Sequence, residues 1–254
     1  MIEISDHAEL AERCDGDLLC MWAAQGLVAH RLAGPCRAWR SKDGLAVAIA
    51  GTELSTRNRI AVHGRAEAAV PLVRGVLEVM GPTFRPLGDP DLIGAIVAGI
   101  PKLTAVAAFG WMDSRGPAPA QRGGAHARWL TQAELPAVGA LMTVGFPDSD
   151  AQPGGPGVER WAGIRDDRGE LAAVTALAWS APDVGYLAGI AVRPDVRGQG
   201  YGAAVCGFVL AEALAKHGAA ALMVEQWNES AIRLYRGLGM RYRALTAAAV
   251  TPPQ

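Results

Sequence analysis

Tyr186-Leu-Ala-Gly-Ile-Ala-Val192 is an apolar run with no charge before Arg193, and it leads through Arg193-Pro-Asp-Val-Arg197 into Gly198-Gln-Gly-Tyr-Gly202. Runs of this kind form buried strands, and Pro194, which has no N–H to give to a ladder, ends the pairing. A loop therefore begins near Arg193. Gly198, Gly200 and Gly202 remove three side chains in five positions, so backbone N–H groups can come close to a ligand at the start of a helix. Behind them Val205, Phe208, Val209 and Ala213 recur at three- and four-residue spacing, Lys216 and His217 fill the last turn, and Gly218 supplies the stop. The dipole of such a helix puts partial positive charge at Gly200 to Ala203, where the free N–H groups of the first turn need acceptors. A diphosphate meets that need, with Arg197 as a cation at the mouth. The plain alternative is a strand-to-helix connection in which the glycines only turn the chain.

Two nucleotide readings of this loop fail. Gly198, Gly200 and Ala203 satisfy G-x-G-x-x-G/A, but Arg193 to Arg197 stand between the strand and the first glycine. Glu225, the acid ending the next apolar run, follows Gly198 by 27 residues, whereas a ribose-binding acid lies about 20 on. After Gly202 too little chain remains for the further strand and helix units of a dinucleotide fold. The lysine followed by Ser or Thr of an ATP-binding P-loop is missing.

The segment Val192 through Arg197-x-x-Gly200-x-Gly202 resembles the acyl-CoA pyrophosphate loop of the GNAT superfamily of N-acyltransferases, whose motif is Gln/Arg-x-x-Gly-x-Gly/Ala after a strand. Downstream, Asn228-x-Ser230-Ala231-x-x-x-Tyr235-x-x-Leu238-Gly239-Met240 is similar to that family's second signature, an Asn opening a helix and a Tyr seven residues later. The resemblance covers roughly Ala127 to Val250. It implies an α/β fold with a mixed, splayed central sheet flanked by helices, acetyl-CoA as acyl donor, and transfer to a primary amine by direct attack, without metal or covalent intermediate. It also implies roles. Backbone groups of Ile190, Ala191 and Val192 bond the pantetheine arm and polarise the thioester, while Arg197, Gly198, Gln199, Gly200, Tyr201, Gly202 and Ala203 hold the diphosphate. Asn228 caps its helix with its amide facing CoA, and Tyr235 serves as general acid for the departing thiolate. Ile232 and Leu238 flank Tyr235 at helical spacing, so the other reading of Tyr235 is a core tyrosine. Where some members carry a basic glutamate this chain has Met223; Glu225, two residues along the same strand and on the same face, acts through a water or is a strand-end carboxylate paired with an arginine. The missing glutamate also leaves room for a non-catalytic acyl-CoA sensor or interaction module.

Composition agrees with a cytoplasmic globular enzyme. Half of the 254 residues are hydrophobic, 19% are charged, and the net charge is −1, so nothing basic enough for nonspecific nucleic-acid binding is present. Glu3, Asp6 and Glu9 occupy the start where a signal peptide has basic and apolar residues, and the longest apolar run, Leu92 to Ile100, is too short to span a bilayer. Cys14, Cys20, Cys36 and Cys206 lack C-x-x-C spacing and read as reduced, buried thiols. The acceptor is a small-molecule or peptide amine, since the balanced charge favours neither a polycationic nor an acidic one.

Along the chain, Ser5 or Asp6 caps a helix expected to run to about Val28. Strands are expected over Cys36–Arg40, Leu45–Ala50 and Asn58–Val62, helices over Ala66–Met80 and Asp91–Gly99, and a strand over Leu103–Trp111. Pro71 fits the first turns of its helix. Residues 114–125 have the composition of a linker, dividing residues 1–113, a smaller α/β domain, from 126–254, the GNAT domain. Ile60-Ala61-Val62 recurs as Ile190-Ala191-Val192, each before a helix ending in glycine, which points to a degenerate N-terminal copy without the glycine cradle. Its role reads as dimerisation, a lid, or scaffold. In the second half a strand at His126–Leu130 precedes Thr131, whose capping box with Glu134 opens a helix; the loop Gly145–Gly157 follows, where the family builds much of its acceptor site. Val158–Arg165 and Leu171–Trp179 form a hairpin across Asp166–Gly169.

Overall fold

The computed structural model describes residues 1–27, 36–116 and 127–251. The chain begins with β1 (Ile2–Ile4) and α1 (His7–Arg13), then α2 (Leu18–Ala23) in place of one long expected helix. Asp15 and Gly16 adopt positive φ of 50° and 62°, which breaks the helical ladder. Asp17 then starts a new helix by accepting hydrogen bonds from the N–H groups of Leu19 and Cys20, both at 3.0 Å. The expected end at Val28 lies outside the described residues. There follow β2 (Cys36–Arg40), β3 (Ala46–Leu54), β4 (Arg57–Gly64), α3 (Ala66–Met80), β5 (Arg85–Gly88), α4 (Pro90–Gly99) and β6 (Leu103–Arg115). Pro71 sits in the second turn of α3. The second half holds β7 (Arg128–Trp129), α5 (Leu135–Gly145), β8 (Val158–Arg165), β9 (Leu171–Ala178), β10 (Gly185–Val192), α6 (Tyr201–His217), β11 (Ala219–Glu225), α7 (Glu229–Gly237) and β12 (Arg241–Val250). Most of the expected linker, and His126 of the expected strand, lie outside the described residues; Ser114 and Arg115 belong to β6.

Two compact units emerge. The first comprises Met1–Trp111, Glu225–Trp227 and Arg243–Gln254; the second comprises Met112–Val224 and Asn228–Tyr242. In the first, β1 to β4 form an antiparallel series, β5 lies parallel to β4, and β12 pairs antiparallel with β5 through Thr246 and Ala247. Leu72, Val73 and Val76 of α3 and Ile93 and Ile96 of α4 share one core with Ala48, Ile60 and Val62 of the sheet. Asp17, besides capping α2, receives a 2.6 Å hydrogen bond from Arg243 of β12.

The second unit repeats the plan. β7, β8, β9 and β10 run antiparallel, β11 lies parallel to β10, and α6 packs on the sheet with Val205, Val209, Leu210 and Ala213 buried. Each half of the sequence therefore has a short edge strand, a helical segment, three antiparallel strands, a long helix, a parallel strand, a helix and a last strand. β4 and β10, which carry the Ile-Ala-Val echo, hold the same place. The last strand is shared out differently from the sequence: β12 passes into the first unit from Arg243 on, and β6 enters the second at Met112.

The expected capping box at Thr131 and Glu134 forms, over a short 3-10 turn before α5. Between β8 and β9 the Asp166 carboxylate accepts from Arg168 and Glu170 N–H groups and Gly169 takes positive φ. Arg193, just past β10, binds this turn through Asp166 at 2.6 Å and Glu170 at 3.0 Å, and its own neighbour Asp195 at 2.7 Å. The guanidinium of Arg193 holds the Asp166 carboxyl below the usual range. A depressed folded-state pKa gives stability that is present above the unfolded value near 4 and is lost as pH falls through the folded value. Arg193→Gln is accordingly expected to lower the melting temperature at pH 7, with the gap from wild type narrowing below about pH 4. Thermal melts of both proteins across pH 3 to 8 check this; a gap independent of pH refutes it.

Candidate active site

β10 pairs with β11 only at its first two residues, Gly185 with Ala220 and Tyr186 with Ala221. Beyond Tyr186 it stays on β9 alone, and the register with β9 slips between Ala188 and Ala191, so Gly189 and Ile190 stand opposite the single residue Thr175. Gly189 makes this bulge with φ of +59°. A side chain there would be blocked as well as strained: a Cβ would lie 2.5 Å from Cη2 of Trp161 and 3.2 Å from Ala151. The result is a strand with an unpaired edge over Leu187 to Val192, among them the three residues Ile190, Ala191 and Val192 expected to meet the pantetheine arm. Ala191 is buried, and Ile190 and Val192 are half-buried against the α6 core.

The turn after β10 ends in glycines that no other residue could replace without strain. Gly198 and Gly200 have φ of 78° and 87°, and both face open space. Gly200 is the N-cap of α6 and gives no side-chain cap; the first helical bond runs from Ala204 N–H to the Gly200 carbonyl at 3.0 Å. The N–H groups of Tyr201, Gly202 and Ala203 thus point out of the helix start with no acceptor among the described residues, and no acid sits in the first turn. Gly202 is small for a different reason. A Cβ there would approach Val192 Cγ2 at 3.0 Å and Leu234 at 3.5 Å, which would push α6 off β10. Arg197 is exposed, and its guanidinium reaches the carbonyls of Val192 and Gly145 at 3.4 Å each, long contacts that leave it pinned across the strand end. Gln199 is exposed. Expected cradle residues are therefore brought together at one helix N-terminus.

Asn228 caps α7: its Oδ1 accepts from Ala231 N–H at 3.2 Å and from the Ser230 hydroxyl at 3.0 Å. One turn and more along the helix, Tyr235 is 6% exposed and packs in the core of the second unit. Burial pushes its phenol well above the ordinary value, and the nearby Cys206 adds to this. It is a core tyrosine by packing and at the same time a hydroxyl kept protonated at any working pH. Glu225 ends β11, is exposed, and falls with the first unit, whereas the cradle and Tyr235 belong to the second. Among the described residues, burial and Cys206 act on the Tyr235 hydroxyl, and no carboxylate does. Sequence reasoning missed Gly189, Trp161 and Arg193; the signal for the first was a glycine inside an apolar strand.

The corresponding strand and helix of the first unit lack these features. β4 keeps its parallel pairing to Ala61, and α3 opens on Arg65 with Glu67 in its first turn; one glycine, Gly64, stands at the junction, and a Cβ there would meet the Leu45 carbonyl rather than open space. A carboxylate already occupies the positive end of that helix.

Residues 131–240 match the family model described as the acetyltransferase (GNAT) family. Among solved structures the chain is similar to a GCN5-related N-acetyltransferase from Kribbella flavida, at 20% identity and a TM-score of 0.60 over 96% of each chain. It is also similar to one from Sphaerobacter thermophilus, at 15% identity and a TM-score of 0.58, with 97% of this chain and 92% of the other covered. A GCN5-related N-acetyltransferase-like protein from Streptococcus suis follows at 10% identity and 0.56, with 97% and 100% covered. Among curated proteins none matches the sequence significantly. Because the structural likenesses run over nearly the whole chain, the GNAT-like fold extends to both units, and the match to the acetyltransferase (GNAT) family model lies in residues 131–240.

Proposed function

We infer that the second unit moves an acetyl group from acetyl-CoA to a primary amine by direct attack. The observation that carries this is the pairing of an uncapped helix start with an unpaired strand edge. Three free N–H groups, the positive end of the α6 dipole and Arg197 suit a diphosphate. The open edge of β10, which ends at Val192 upstream of this helix, suits an extended arm with amides of its own.

In this reading the diphosphate sits on Tyr201 to Ala203, with Gly198 and Gly200 leaving room and Gln199 and Arg197 at the rim. The pantetheine runs along Ile190 to Val192, and an N–H near the Gly189 bulge polarises the thioester carbonyl, stabilising the oxyanion as the amine adds. Tyr235 donates to the departing sulfur. Burial holds the Tyr235 phenol protonated, so a proton is present to give as the thiolate departs. No side chain is assigned as base, so attack draws on the free-base fraction of the amine.

Three outcomes are expected. Tyr235→Phe lowers kcat by about 10- to 1,000-fold with little change in CoA affinity, followed by thiol release; unchanged turnover removes Tyr235 from the mechanism. Gly200→Glu, which puts a strained side chain and a negative charge at the helix start, weakens acetyl-CoA binding at least about tenfold in calorimetry while circular dichroism stays native. Equal affinity would empty the proposed cradle. Below the amine's own pKa, kcat/KM rises about tenfold per pH unit, because only the neutral amine attacks; a profile breaking near pH 4 to 7 for every amine would reveal a protein base instead. Binding of acetyl-CoA without thiol release against an amine panel favours the sensor reading.

A further inference from the structure

The two helices that open the first unit meet at a group of three sulfur atoms. Cys14 is the C-cap of α1, and Cys20 and Met21 are neighbours in α2. The positive φ of Asp15 and Gly16 breaks the helical ladder between them, and the Asp17 cap fixes where α2 begins. A residue ending one helix is thereby set against two residues inside the next. Cys14 Sγ lies 3.9 Å from Met21 Sδ, and the thiols of Cys14 and Cys20 are hydrogen-bonded to each other. All three are shut away from solvent, Cys14 and Cys20 at 0% and Met21 at 4% exposed.

Thiolate and thioether donors select soft cations. A metal–thiolate bond is about 2.3 Å, so an ion lying in the plane of three sulfurs holds them about 4 Å apart. Cys14 and Met21 already stand at that separation. A tetrahedral dication fits poorly, because it wants a fourth donor. Among the described residues no group of three or more His, Cys, Asp and Glu side chains is placed to hold a metal. The Asp17 carboxylate is engaged by the Leu19 and Cys20 N–H groups and by Arg243. It acts instead as a fixed negative charge that raises both thiols, a field that favours a cation between them. The hydrogen bond from Cys20 draws the Cys14 thiol below its ordinary value, so Cys14 is the sulfur that ionises first. The same bond, with burial, pushes Cys20 well up.

We propose that Cys14, Cys20 and Met21 form a binding site for a soft monovalent cation of the copper(I) class, which clasps α1 to α2 across the Asp15–Gly16 break. The site lies in the first unit and is independent of the acetyl transfer inferred for the second. On binding, both S–H bonds give way to sulfur–metal bonds, the thioether supplies a lone pair, the two protons pass to water, and no electron moves.

The test titrates copper(I) into the full chain under a phosphine reductant, in competition with a coloured copper(I) chelator, with circular dichroism recorded alongside. The wild-type chain is expected to take a single copper from the chelator and to keep its native spectrum. Cys14→Ser and Cys20→Ser are each expected to weaken binding at least about 100-fold, and Met21→Leu, which keeps the packed volume, about tenfold. Cys36→Ala combined with Cys206→Ala leaves the affinity as it was. Failure to take copper, binding that survives Cys14→Ser or Cys20→Ser at full strength, or binding lost with Cys36 and Cys206 overturns the proposal. Uptake that comes only with loss of the native spectrum overturns it too, since the metal would then be held by the unfolded chain. Should the serine variants not fold, Met21→Leu decides: weakened binding sustains the three-sulfur site, and unchanged affinity refutes it.

Discussion

Everything proposed for the second unit depends on β10 parting from β11 after two parallel pairs. A buried strand edge whose amides and carbonyls find no partner costs free energy, on the order of 1–3 kcal/mol for each group left unsatisfied. Proteins seldom leave such an edge open without a use for it. Here the departure follows from backbone geometry. Gly189 takes a conformation closed to other residues, the bulge adds twist, and Trp161 fills the space a side chain would need. Hydrogen-bonding capacity that a regular sheet would consume is thus left unused, a few residues upstream of a helix start that is unsatisfied in the same way.

The two units share a plan and differ at a few backbone positions. Both have the strand, the following helix and the parallel neighbour, and both cores are built from Val, Ile, Leu and Ala at equivalent places. In the first unit β4 remains zipped to β5 as far as Ala61, and the helix behind it begins with Arg65 and the acidic Glu67. The scaffold tolerates the change because strand pairing and helix burial do not require the open edge; only ligand binding does.

Much of this was legible because the relevant signals are local. Three glycines in five positions, an Asn before an apolar helix, and Thr131 three residues ahead of Glu134 each specify a backbone conformation from side-chain chemistry alone, and the structure realises each one. The second strand of the first hairpin pair and the long helices followed from periodicity. What escaped was set by distant partners. The Asp15-Gly16 break lay in plain view as a turn pair, but the apolar spacing across it outweighed the signal. β1, β5 and β12 carry too few or too mixed residues to stand out, and they exist because neighbouring strands offer edges. Arg193 looked like one more loop arginine, while in the fold it joins a hairpin turn 23 to 27 residues upstream to the end of β10. No spacing rule foretells that.

The fold also bears on whether the acyl group passes through the protein. Cys206 is the only cysteine of the second unit and lies on α6 close to Tyr235, where a covalent relay would be conceivable. It is fully buried, with the Thr175 hydroxyl at 3.7 Å as its polar neighbour. Burial pushes its thiol up to about 12. At neutral pH the reactive thiolate would then be about one part in 100,000, and no basic group stands beside it to raise that fraction. It packs among Val205, Val209 and Leu210 in the same core as Tyr235. An acyl-enzyme on Cys206 would need α6 to shift away from the sheet that positions the diphosphate cradle, so the site would lose its donor in gaining a nucleophile. Burial therefore argues against Cys206 as a covalent relay in the proposed transfer, which leaves the direct attack proposed above.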